Sequence, residues 1–145
     1  PPKKKRDSYK KTSEWLIKTF SELGLTLEFG NESPKSMIVD CFSQSTPADL
    51  TNQYGEKIIG SAQYWMKGRL LQHGEIILNA PKDIWEDIFQ SSVPNPILNP
   101  ISKKSIERKL FSSIKQFFPS FDWETKPISK EELAEVKRLE NQYCI

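Results

Sequence analysis

Cysteine, histidine and charge of one sign are all scarce in this chain. It holds two cysteines in 145 residues, Cys41 and Cys144, far apart and in no pairing pattern. A disulfide framework or a zinc site needs clustered cysteines, so neither is suggested, and both thiols are expected free in a reducing cytoplasm. His73 is the single histidine. Lysine plus arginine number 21 against 19 aspartate plus glutamate, a net charge of +2. That balance argues against a nucleic-acid partner, which needs a concentrated basic face. No apolar run approaches the roughly 18 residues of a membrane-spanning helix, and the N-terminus lacks the apolar core of a signal peptide. No internal repeat and no low-complexity tract is present.

What remains fits one globular domain on the polar side, 37% hydrophobic and 28% charged. The basic tract Pro1–Arg6 reads as a solvated loop, with docking of an acidic carrier protein as the functional alternative. Asp7 and Ser8 can cap a helix to about Leu23, its apolar face made by Tyr9, Thr12, Leu16, Phe20 and Leu23, with Gly24 as its stop. Leu25 to Phe29 alternates as a strand, and a polar loop from Gly30 follows. Met37 to Phe42 comes next. After a polar turn, Asp49-Leu50-Thr51 starts a short strand, and Asn52 to Gly55 turns the chain back.

The stretch from Gly55 to Leu78 reads as two β-prone runs joined at Lys67-Gly68, an antiparallel hairpin. Beyond it, Pro81 opens a helix with Ile84, Trp85, Ile88 and Phe89 on one face. A proline-rich connector runs to Pro100, with Leu98 and Ile101 as its anchors. Ser102 caps a third helix with the stripe Ile106, Leu110, Ile114 and Phe117, ended by Pro119. Phe121, Trp123 and Thr125 alternate as an edge strand. Ser129 to Glu132 forms a capping box for a last helix whose face is Leu133, Val136, Leu139 and Tyr143. This order predicts an α+β fold of mixed α/β layers: a mixed, largely antiparallel sheet with a central hairpin, flanked by helices.

Several hairpin residues are out of place in a packed hairpin. Lys57 opens the first strand, and Gly60-Ser61-Ala62 removes bulk just beyond it. Glycine inside a strand marks a close approach by a ligand or another backbone. His73 stands in the second strand beside Gly74. A lysine above a bulk-free strip of backbone suits an acyl group and its carbonyl oxygen.

The residues Lys57-Ile58-Ile59-Gly60-Ser61-Ala62-Gln63, followed by Leu70-Leu71-Gln72-His73-Gly74-Glu75-Ile76-Ile77-Leu78, resemble the lipoate/biotin protein ligase and octanoyltransferase superfamily. That family carries a G-R-K-[LIV]-x-G-S-A-Q strand leading into an L-x-H-G-[ST]-[IL]-L strand. Here Glu56 stands in the arginine place and Glu75 in the serine/threonine place. The resemblance runs from about Tyr9 to about Tyr143. The family's upstream R-R-x-[ST]-G-G segment, which covers the acyl group, is absent. The expectation is one catalytic-type domain over residues 1–145 lacking that Gly-rich half, with unpartnered helix faces and a tendency to self-association.

The resemblance implies that Lys57 contacts the acyl carbonyl, or the phosphate of an acyl-adenylate. A fixed ammonium aimed at a developing oxyanion stabilises the tetrahedral intermediate of acyl transfer. Cys41 has two readings. Set among apolar residues, it is a small buried hydrophobe. Placed ahead of the lysine motif, Cys41-Phe42 is similar to the cysteine-dependent octanoyltransferase branch, where that thiol carries the acyl chain as a thioester. The implied function is transfer of an octanoyl or lipoyl group from acyl-carrier protein, through Cys41, to a lysine of a lipoyl-accepting domain, with no cofactor. The alternative is a lipoate (second, biotin) protein ligase using ATP and Mg through an acyl-adenylate, which uses Lys57 and leaves Cys41 structural. A third reading is a non-catalytic paralogue or partner subunit.

The resemblance gives Gly60, Ser61, Ala62, His73 and Gly74 to the substrate. His73 shapes the pocket and positions the lysine, and Gly60, Ser61 and Gly74 are backbone lying against the acyl group. Ser61 is no nucleophile, because no G-x-S-x-G elbow surrounds it. Asp49 reads first as a turn residue, second as a ligand for a hydroxyl or amine. The four tryptophans read as core or rim residues.

Overall fold

The computed structural model describes residues 2–31, 44–78, 80–93 and 102–143. Helix α1 spans Pro2–Glu22. It begins earlier than Asp7, so residues Pro2 to Arg6 are helical rather than loop. A run of lysines has no apolar periodicity to betray a helix, while proline's fixed φ suits a first turn. Thr12 and Thr19 bond back to the carbonyls of Ser8 (2.8 Å) and Trp15 (2.7 Å) and so satisfy their hydroxyls within the helix. Gly24 ends the helix at φ +86°, with Gly24 N–H donating to the Ser21 carbonyl and Leu25 N–H to the Phe20 carbonyl. That pair of bonds is the Schellman motif, which needs a left-handed residue at this position.

Four strands form one antiparallel sheet in the order β1 (Glu28–Phe29), β2 (Leu50–Thr51), β3 (Lys57–Met66) and β4 (Arg69–Ile76). The strand expected from Leu25 to Phe29 pairs only at its last two residues, although Leu25 and Leu27 are buried in the core. The hairpin turn Lys67-Gly68 has φ +48° and +76°, two consecutive left-handed residues that match the right-handed strand twist. Gly74 is a close-approach glycine: a Cβ there would lie 2.3 Å from the Gly60 carbonyl oxygen across the ladder.

Helix α2 spans Lys82–Phe89, α3 Lys103–Phe117 and α4 Lys130–Tyr143. Ser102 caps α3 by accepting from Ser105 N–H. Ser129 and Glu132 make the reciprocal capping box of α4. The core is Leu16 and Phe20 of α1, Leu25, Leu27, Leu50, Ile58, Ile59, and Ile106 of α3. So α1 and α3 cover one face of the sheet, and a Lys109–Glu22 ion pair at 2.5 Å ties them together. The architecture is α+β, as the element order implied.

Phe121 to Thr125 is not a strand. Its rings serve a local cluster instead. Phe118 meets Phe121 and Trp123 at centroid distances of 5.7 and 6.4 Å, and the Trp123 indole N–H donates to the Phe118 carbonyl. Met37 to Phe42, Leu98, Ile101 and Cys144 lie outside the described residues. No helix among the described residues is long and apolar enough to cross a membrane.

Candidate active site

The site is built where β2 begins beside β3. Thr51 pairs with Lys57, but Leu50 pairs with Ile59, so β3 carries one extra residue, Ile58. A bulge of this kind re-aims side chains. In a regular strand Lys57 and Gly60, three positions apart, would face opposite sides. Here Lys57 lies over Gly60: a Cβ on that glycine would sit 3.2 Å from Lys57 Cε. Gly60 therefore leaves the lysine its path.

Lys57 Nζ lies 3.2 Å from Asp49 Oδ2, with the two side chains only 12% and 5% exposed. The same oxygen accepts from Thr46 N–H (2.8 Å) and Thr46 Oγ1 (2.9 Å). The other, Oδ1, accepts from Ser61 N–H at 3.2 Å. β2 starts at Leu50, so the next outward donor of β3 has no strand backbone opposite it. The Asp49 carboxylate takes that place. Asp49 is thus a turn residue, as its sequence context suggested, and also the counterion of Lys57. Its second role went unread because the bulge that brings the two together leaves no local signal. The pattern Thr46-x-x-Asp49 was the available hint, since it closes a turn around a carboxylate.

Strand alternation divides the other predicted residues between two faces. Ala62 pairs with His73 and Gly60 with Glu75, so these four share the face over which Lys57 lies. His73 is exposed there. Ser61 pairs with Gly74 on the opposite face, under α1. That face holds a mainly apolar groove of about 190 Å³ between sheet and helices, lined by Thr12, Trp15, Leu16, Ser61, Gly74 and Leu110 among others, and His73 also borders it. Further along, Tyr9 Oη accepts from Gln63 N–H (3.0 Å), and Thr12 Oγ1 accepts from the Gln63 amide (2.8 Å). These contacts clamp α1 onto the hairpin and were not anticipated from sequence. Ser61 meets the Asp49 carboxylate through its backbone N–H rather than through its hydroxyl. Cys41 lies outside the described residues. Among the described residues no group of His, Cys, Asp and Glu is placed to hold a metal ion.

Chemically, the arrangement presents a fixed ammonium beside a half-buried strip of backbone, with a buried carboxylate behind it. An ammonium held in this way can stabilise a developing negative charge.

The sequence profile of the lipoyl protein ligase A/B catalytic domain matches residues 1–136. Octanoyltransferase LipM of Oceanobacillus iheyensis is 34% identical over 86 residues, covering 59% of this chain and 31% of that protein. Octanoyltransferase LipM of Staphylococcus epidermidis is 27% identical and covers 94% of this chain and 58% of that protein. Two solved structures share the fold. A candidate lipoate protein ligase from T. acidophilum with bound lipoic acid superposes with a TM-score of 0.73 at 18% identity, over 94% of this chain and 54% of that one. A lipoate-protein ligase A bound with ATP gives 0.70 at 18% identity, over 94% and 55%. The chain spans between 31% and 58% of the length of these two curated relatives.

Proposed function

The chain belongs to the lipoyl protein ligase A/B catalytic-domain family, and on that premise we propose that it moves an octanoyl or lipoyl group from acyl-carrier protein to a lysine of a lipoyl-accepting domain. In this reading Cys41 carries the acyl group and Lys57 meets its carbonyl. The Cys41 thiolate bonds to the acyl carbonyl carbon, and the carrier's thiolate leaves. The acceptor lysine amine then attacks the acyl-cysteine, Cys41 leaves as thiolate, and the new amide nitrogen loses its proton. The donor is already an activated thioester, so the two transfers need neither ATP nor metal.

One observation carries the reading: the ammonium of Lys57, nearly buried, is fixed over Gly60 in the strand that bears the Gly-Ser-Ala-Gln motif. In each transfer a carbonyl oxygen becomes an oxyanion. A preset cation beside it needs no reorganisation at that moment. Gly60 and Ala62 leave the strip beside the lysine free of bulk, and His73, across from Ala62, walls it. A thiol that forms thioesters must stay reduced, which is in keeping with a reducing compartment such as the cytoplasm.

The test is the intact mass of the protein after incubation with octanoylated acyl-carrier protein. The expected result is a gain of one octanoyl group that hydroxylamine removes and Cys41→Ser abolishes. An adduct that forms only with lipoate and ATP would replace this reading by the ligase. That chemistry is in keeping with the ATP-bound structure of the same fold. No adduct under either condition would overturn both and leave a non-catalytic relative.

A further inference from the structure

We propose that Asp49 is the positioning residue of this site, holding the Lys57 ammonium at the acyl carbonyl. The inference rests on the role of Lys57 proposed above and adds the group through which that lysine acts.

A lysine is a point charge on a flexible four-carbon stem, and holding it in one place costs rotamer entropy. Stabilising an oxyanion requires that it be held before the reaction begins. The Asp49 carboxylate is built to hold it. Oδ2 is fixed by two donors from Thr46, and Oδ1 by the Ser61 N–H. The carboxylate cannot rotate without surrendering one of these bonds. Lys57 Nζ meets Oδ2, the oxygen already anchored by Thr46, and occupies it with one of its three donors.

The placement links the ammonium to the backbone of the motif. One carboxylate spans Lys57 on one side and the amide of Ser61 on the other, with Gly60 between them. The carboxylate therefore ties the ammonium to the Gly60–Ser61 backbone through one rigid group. A buried carboxylate with this many donors is also costly to strand, so the pair is coupled both ways. A solely structural role, closing β3 where β2 begins, would require the Ser61 bond but not the lysine.

Two readouts on the purified chain separate these roles. The first needs no acyl transfer. The rate at which an acetylating reagent modifies Lys57, followed by peptide mass spectrometry, should rise about tenfold in Asp49→Asn, because a charge-assisted bond is lost. The second is octanoyl transfer. Asp49→Asn should lower kcat by about 100-fold through misplacement of the lysine, with KM for the acyl donor little changed. In a Lys57→Met background, adding Asp49→Asn should lower the rate no further. Thr46→Val removes one bond to Oδ2 and leaves both charges, so it should move both readouts the same way by less. It also keeps the test alive if Asp49→Asn fails to fold.

Unchanged Lys57 reactivity in both variants, or losses that multiply in the double variant, would overturn the proposal. If no variant and no wild-type protein transfers octanoyl, yet Lys57 reactivity responds to Asp49→Asn, the transferase reading fails while the positioning of the lysine stands.

Discussion

Strand β3 behaves as two different strands at its two ends. At its inner end Ile58 and Ile59, successive residues at the bulge, are both 2% exposed and both belong to the core. At its outer end Tyr64, Trp65 and Met66 are 61%, 50% and 52% exposed. The chemistry-bearing residues crowd the inner end, where β2, the bulge and the turn at Thr46 close around Lys57 and Asp49. The outer end offers a two-residue turn and open rings. A fixed charge needs a covered, rigid setting, because in water the same ammonium would wander and be screened. The difference between the two ends is the difference between a scaffold and a site.

The helices repeat the contrast. α1 and α3 supply Leu16, Phe20 and Ile106 to the core. α2 buries no described residue, and its face leaves Ile84 and Ile88 more than half exposed. α4 likewise leaves Leu133 and Val136 open. Amphipathic faces this plain in the sequence are covered on one pair of helices and bare on the other.

The comparison breaks most visibly if both ends matter equally to stability. Ile59→Ala should cost about 2–5 kcal/mol in urea unfolding, since it empties a buried position at the inner end. Tyr64→Ala should stay within about 0.5 kcal/mol, as an exposed substitution does. A large cost at Tyr64 would mean that the outer end is covered in solution.

A smaller effect sharpens the contrast between helix pairs. The Glu22 carboxyl is held below the ordinary glutamate range by its hydrogen bond from Lys109 and then by that lysine's charge. A carboxyl lowered in the folded state adds stability above its unfolded range and loses it as pH falls through the folded value. Wild type should therefore exceed Lys109→Met in urea midpoint at neutral pH. The gap should close in acid and shrink in high salt, because the pair is half exposed. A gap that persists in acid would mean that Lys109 acts by packing its stem.

Much of the frame was legible in local sequence. Lys67-Gly68 announced its turn, Gly24 its stop, and Ser129-Lys130-Glu131-Glu132 its cap, because each depends on residues within one turn of the chain. Lys57 and Gly60 were singled out for the same reason: they break the pattern of the strand that carries them. The rest depended on distant partners. Phe121 to Thr125 alternates like a strand, but its rings found one another and Phe118 before any neighbouring backbone. The Asp49–Lys57 pair needs a bulge, and the division of Ser61 and Gly74 from Gly60 and His73 needs the register. Neither is written in any short segment.

The most direct test removes the charge pair at the inner end and leaves the outer end as its control. Lys57→Met is made together with Asp49→Asn, so that no buried carboxylate is stranded. Single-turnover octanoyl transfer should fall by about 10²–10³-fold in this variant, the usual cost of losing an oxyanion-stabilising group. Its thermal transition should remain cooperative, and Tyr64→Ala should transfer at close to the wild-type rate. Transfer retained by the folded double variant would contradict the account, because acyl chemistry would then proceed without the ammonium that the inner end of β3 is built to hold.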